Sequence, residues 1–155
     1  YRLLSDEFGA WHLTRRSLTP CTRPIALKNE SIDVLRAFAP DAMLGPTFPR
    51  TPKGAVAHVA PTAASIAGRH RSAAARMIVF PRFARSAAIE LVRLDQAESF
   101  ARLSGNSFNY ELLGATAFRE TVHLVRTCPS YLLTYGDMDR AIERIDRELD
   151  LVCAS

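Results

Sequence analysis

The rhythm of apolar and polar positions changes along this chain, from short irregular runs in the first two thirds to helical stripes in the last. Residues 2–5 and 10–13 read as short strands on either side of the turn-like Asp6-Glu7-Phe8-Gly9. Arg23-Pro24-Ile25-Ala26-Leu27-Lys28 is a third strand, with Pro24 favouring its start or an edge. Asn29 then caps a short helix over 30–38, where Ile32, Leu35 and Phe38 recur at three-residue spacing and Pro40 stops the run. Residues 40–53 carry four prolines and no period, and read as a surface loop. A strand is expected at 54–59, ended by Pro61. Another is expected at 76–80, bounded by Pro81, and its unbroken Met-Ile-Val-Phe run implies burial on both faces. Residues 89–94 alternate as a half-buried strand does.

Helical spacing takes over after Asp95. Asp95-Gln96-Ala97-Glu98 fits a capping box, and the helix it opens ends near Ser104-Gly105-Asn106. A longer helix is expected over 110–127, its stripe formed by Leu113, Ala117, Thr121 and Leu124 and closed by Pro129. A short strand at 131–135 precedes a final helix capped by Asp137, with Met138, Ile142, Ile145 and Leu149 on one face. Glu143 with Arg147 and Arg144 with Glu148 are one turn apart on its solvent side. This succession predicts an α/β class, a mixed sheet with helices, and 155 residues suit a single domain with a real core.

Composition adds two limits. Hydrophobic residues make up 48% of the chain, yet no apolar run approaches the ~20 residues that span a bilayer. Twenty basic against 16 acidic residues leave a formal charge of +4. That surplus suits anionic ligands such as phosphates, but it is too modest and dispersed to favour nucleic acid. Cys21, Cys128 and Cys153 are far apart and show no zinc spacing, so a reduced, cytoplasmic setting is the simplest reading.

The candidate chemistry starts at Asp6 and Glu7. Two adjacent carboxylates at a strand's tip can accept a proton from an attacking hydroxyl and ligate Mg²⁺, the two acidic tasks of phosphoryl transfer. The bland alternative is a polar turn closing a hairpin. Arg23, Lys28 and Asn29 bracket the third strand, and Thr51-Pro52-Lys53-Gly54 offers a lysine on a loop where Gly54 permits close approach. His58 reads as a core or edge histidine. Arg69-His70-Arg71 and Arg82-Phe83-Ala84-Arg85 read as solvated basic patches, and Ser107-Phe108-Asn109-Tyr110 as the lead-in to the long helix. No G-x-x-x-x-G-K-[ST] loop is present.

Five segments, taken in order, carry a resemblance: Arg2-Leu3-Leu4-Ser5-Asp6-Glu7-Phe8, the run from Arg23 to Ser31, Pro52-Lys53-Gly54-Ala55-Val56-Ala57-His58, Ile78-Val79-Phe80-Pro81, and Ser107-Phe108-Asn109-Tyr110. Together they resemble the HPr-kinase-related kinases of the kinase A branch over nearly the whole chain. The resemblance implies a partial P-loop kinase domain of the HPr kinase/phosphoenolpyruvate carboxykinase type. It is read as the carboxyl-terminal part, with the phosphate loop upstream of Tyr1. It implies ATP and Mg²⁺ as cofactors. Asp6 falls on the family's first acid, the general base. Glu7 falls on the second, a metal ligand, and is Glu where the family has Asp. Arg23, Lys28 and Lys53 become phosphate or substrate contacts. The glycine-rich signature of HPr kinases is not found, which speaks against HPr as the substrate and against the reverse phosphorolysis; the phosphate acceptor stays open between a protein serine and a small molecule. HPr kinases assemble as hexamers, but the likeness does not carry that over, and a homo-oligomer stays open.

The leading expectation is therefore part of an ATP-dependent kinase that transfers the γ-phosphoryl group to a hydroxyl and is inactive alone. The alternative is a non-catalytic basic module that binds nucleic acid or an acidic partner, with a steep salt dependence.

Overall fold

The computed structural model describes residues 1–154, and its contacts divide into two compact units, Tyr1–Ala74 and the remainder from Ala75. Among the described residues, eight short strands form three small sheets accompanied by six helices, a mixed α/β fold.

The first unit opens with an irregular segment. Residues 2–5 form no strand because their polar groups are engaged elsewhere. Leu3 donates its backbone N–H to Ser65 Oγ at 3.0 Å, the Leu4 carbonyl accepts from Cys21 N at 2.8 Å, and the Arg2 guanidinium donates to the Gly68 carbonyl at 2.7 Å. The expected strand-tip setting of Asp6 and Glu7 is thus replaced by a bend on a strap. After it, β1 (Ala10–His12) and β2 (Ser17–Thr19) form an antiparallel hairpin.

Next come β3 (Ile25–Lys28), α1 (Glu30–Phe38), β4 (Phe48–Thr51), β5 (Gly54–Val59) and α2 (Ala63–Ala67). The sheet order is β3-β5-β4, all antiparallel, with Lys28 opposite Val56. On β5, Ala57 and Val59 are buried and His58 between them is exposed, the alternation of a half-buried strand. Ile32 carries α1 into the same small core. Residues 40–53 are not all loop, since their last part is β4. Its Pro49 is tolerated because β4 is an edge and its ladder to β5 is irregular.

The second unit is built on β8. Its elements are β6 (Ile78–Phe83), β7 (Glu90–Arg93), α3 (Gln96–Gly105), α4 (Tyr110–Leu113), α5 (Ala115–Thr127), β8 (Ser130–Tyr135) and α6 (Met138–Ala154). The order is β6-β8-β7, with β6 parallel and β7 antiparallel to the central β8. Ser130, Tyr131, Leu133 and Thr134 of β8 are all buried. The Met-Ile-Val-Phe run lies at the edge and is only half-buried, against expectation. The strand also continues through Pro81, because an edge strand can do without one ladder N–H.

The long helix expected over 110–127 is divided at Gly114, whose φ of 49° no helix accommodates, so α4 ends and α5 begins there. Asp95 caps α3 by accepting from Glu98 N at 2.8 Å, but the Glu98 carboxylate turns to Arg102 at 2.7 Å rather than closing a box. Asp137 accepts from Arg140 N at 3.0 Å and starts α6. No helix is long and apolar enough to cross a membrane among the described residues.

Candidate functional site

Asp6 and Glu7 sit on an exposed bend. Two contacts tie that bend to the lead-in of β3. One is the Cys21–Leu4 backbone bond. The other is the Arg23 guanidinium, which lies over the Phe8 ring, 5.9 Å from its centroid. A cation so stacked keeps its donors free while the ring fixes its position. The fold therefore brings Arg23 onto the residue that follows Glu7, an association that separation in the sequence concealed.

Lys28 and Lys53 gather at the other end of β3. Lys53 is at the tip of the turn joining β4 to β5. Thr51 organises that turn: its Oγ accepts from Lys53 N at 3.1 Å and donates to the Gly54 carbonyl at 2.7 Å. Asn29 locks the turn to β3. Its backbone N–H donates to the Ala55 carbonyl at 2.9 Å, and its Oδ1 accepts from Ala55 N at 3.1 Å. Asn29 is thus a cross-strand clamp and not the side-chain cap expected of it. Its φ of 50° removes it from a capping geometry, and Ser31 Oγ instead bonds both the N–H and the carbonyl of Lys28. Gly54 has a φ of 84°, and a Cβ there would run into the Asn29 amide, so the turn requires glycine. Lys28 and Lys53 are both exposed. The length of β3, roughly 10 Å, separates them from Arg23. The five predicted residues therefore form two groups, Asp6-Glu7-Arg23 and Lys28-Lys53.

Among the described residues, no group of three or more His, Cys, Asp or Glu side chains is arranged to hold a metal. Mg²⁺ in phosphoryl-transfer sites needs only one or two carboxylates plus substrate phosphates, and the donor chemistry of Asp6 and Glu7 fits that demand.

Patterning did not point to a third site, in the second unit. A cleft of about 580 Å³ opens at the start of β8 and the end of β7, with Arg76, Arg93, Arg126, Ser130, Tyr131 and Glu148 in its wall. Burial raises the Tyr131 pKa, as does the hydrogen bond its hydroxyl donates to Glu148 Oε1 at 2.8 Å. That same bond, and then the one from Arg144 at 2.9 Å, lower the Glu148 pKa. Glu148 is 17% exposed and faces the sheet, not solvent as its helical spacing suggested. The expected one-turn pairing with Arg144 is present but directed inward, whereas Glu143 and Arg147 pair at 3.4 Å on the exposed face. Only tertiary structure joins β7, β8, the lead-in to β6 and three helices, α3, α5 and α6, so the sequence signal for this cleft was limited to scattered arginines. No family model, curated protein or solved structure matches the chain.

Proposed function

We propose that this chain is the acceptor- and metal-side part of an ATP-dependent kinase of the HPr-kinase-related type. Two things support the reading. The first is the five-segment resemblance. The second, and the structural observation that carries it, is the exposed Asp6-Glu7 bend with the Arg23 guanidinium held on the adjoining Phe8 ring. Carboxylates and a cation carried on the same short segment are groups that transfer to a hydroxyl uses.

Asp6 takes the proton of the acceptor hydroxyl as its oxygen bonds to the γ-phosphorus and the bond to ADP breaks. Glu7 would hold Mg²⁺. Bound Mg²⁺ supplies neutralisation of the charge on the phosphate oxygens. Arg23 contacts phosphate beside the acids. Lys28 and Lys53, on a turn locked by Asn29 and Gly54, contact the far side of the nucleotide or the acceptor. The 155 residues carry no G-x-x-x-x-G-K-[ST] loop to cradle phosphates, so in this reading they transfer little or nothing by themselves.

The test is transfer of labelled γ-phosphate by the complete protein. Asp6→Asn should abolish transfer while nucleotide binding persists. Turnover retained in that variant would remove Asp6 as the base.

A further inference from the structure

We infer that the cleft at the start of β8 is a binding site for a small phosphorylated molecule, independent of the kinase reading. Three features of the second unit converge there. Arg76, Arg93 and Arg126 contribute three guanidinium groups, none of which forms an ion pair or side-chain hydrogen bond among the described residues. The one carboxylate in the wall, Glu148, is paired with Arg144, bonded by Tyr131 and also faces the charge of Arg93. Three arginines against one carboxylate that already has a partner outside the wall leave the cleft with a surplus of positive charge, which favours a dianion over a neutral ligand.

Ser130 forms part of the cleft floor but is 3% exposed, with its Oγ closed off from solvent, so the arginines and not this hydroxyl would contact a ligand.

Size and position narrow the ligand. About 580 Å³ lies in the usual range for small-molecule sites and exceeds what a bare ion needs. The cleft is at the amino ends of the parallel pair β6 and β8. Nucleotides in open α/β sheets lie beyond the carboxyl ends, so this is not the site that phosphoryl transfer would use. A phosphate monoester on a sugar-sized body matches the wall.

Amide shifts of the isotope-labelled chain, followed while inorganic phosphate or a hexose phosphate is added above about pH 7, where the monoester is nearly a dianion, test this. Both ligands should shift Ser130 and Tyr131 saturably, with the hexose phosphate at least roughly tenfold tighter because it fills the cleft. Arg93→Gln and Arg126→Gln should each weaken binding by roughly tenfold or more, and Arg76→Gln by a few-fold. Arg140→Gln, an equal charge change outside the cleft, should leave binding unchanged. The inference is overturned by absent or non-saturating shifts, by wild-type affinity in the cleft arginine variants, by an equal loss in Arg140→Gln, or by a hexose phosphate no tighter than inorganic phosphate. Unliganded spectra of each variant separate lost binding from lost fold, and Arg76→Gln, at an exposed position, gives a reading if another arginine variant unfolds.

Discussion

The candidate site residues of the first unit and the polar residues of the second unit's central strand live under opposite conditions. In the first unit Asp6, Glu7, Lys28 and Lys53 project from turns into solvent, held in place by backbone bonds and by Asn29. In the second, Ser130, Tyr131 and Thr134 are buried on the central strand, and Tyr131 reaches Glu148 inside the unit. The difference is one of division of labour. Exposed groups on clamped turns are available to a ligand and contribute little to stability. Buried groups must find partners inside the unit, as Tyr131 does at Glu148. Substitutions should therefore separate stability from function unit by unit.

The largest effect should come from Leu133→Ala. This side chain is 1% exposed at the centre of β8, and its removal should cost about 3 kcal/mol in urea unfolding. A cost near zero would mean that β8 is not the core of its unit. Glu148→Gln ranks second at about 2 kcal/mol, because it weakens the bonds from both Tyr131 and Arg144.

The pH dependence of that network has a definite sign. The Glu148 pKa is lowered on folding from its ordinary 4.5, so its contribution is present above that value and lost as pH falls through the lower folded one. Glu148→Gln should flatten the acid limb of stability against pH. The Tyr131 pKa is raised from 10.0, so its contribution holds below pH 10.0 and fades as pH rises toward the folded value; Tyr131→Phe should remove that alkaline loss. Unchanged limbs in both variants would break the claim that buried polar groups carry stability here.

Gly54→Ala comes third. A left-handed φ and the Asn29 amide both oppose a Cβ, for a loss of about 1–2 kcal/mol, and the Lys53 turn should lose its amide exchange protection at Ala55. Smallest of all, Asp6→Asn and Lys53→Ala should each change unfolding by less than about 0.5 kcal/mol, since both residues are exposed. A larger stability loss in either would blur the contrast between the units.

Much of the fold was legible in local pattern. The helix at 30–38, the strand at 54–59 and the caps at Asp95 and Asp137 appear as their residues indicated, because each depends on neighbours within a few positions. What escaped depends on distant partners. Residues 2–5 look like a strand until Ser65, Gly68 and Cys21 claim their polar groups. Proline frequency hid β4, which only its pairing with β5 reveals. Helical spacing put Glu148 beside Arg144 but was blind to Tyr131, 17 positions away. The same holds for the candidate site. The residue types were legible, but the Arg23–Phe8 contact, the Asn29 clamp and the division of the cations between the ends of β3 were not.

The central claim is that the Asp6-Glu7 bend handles the metal and the acceptor. Line broadening in the isotope-labelled complete protein, with ATP and Mn²⁺ in place of Mg²⁺, tests it most directly. The account predicts broadening of the Asp6 and Glu7 amides that requires ATP and is lost in Glu7→Gln. ATP-dependent broadening elsewhere, with residues 6 and 7 unaffected, would contradict it.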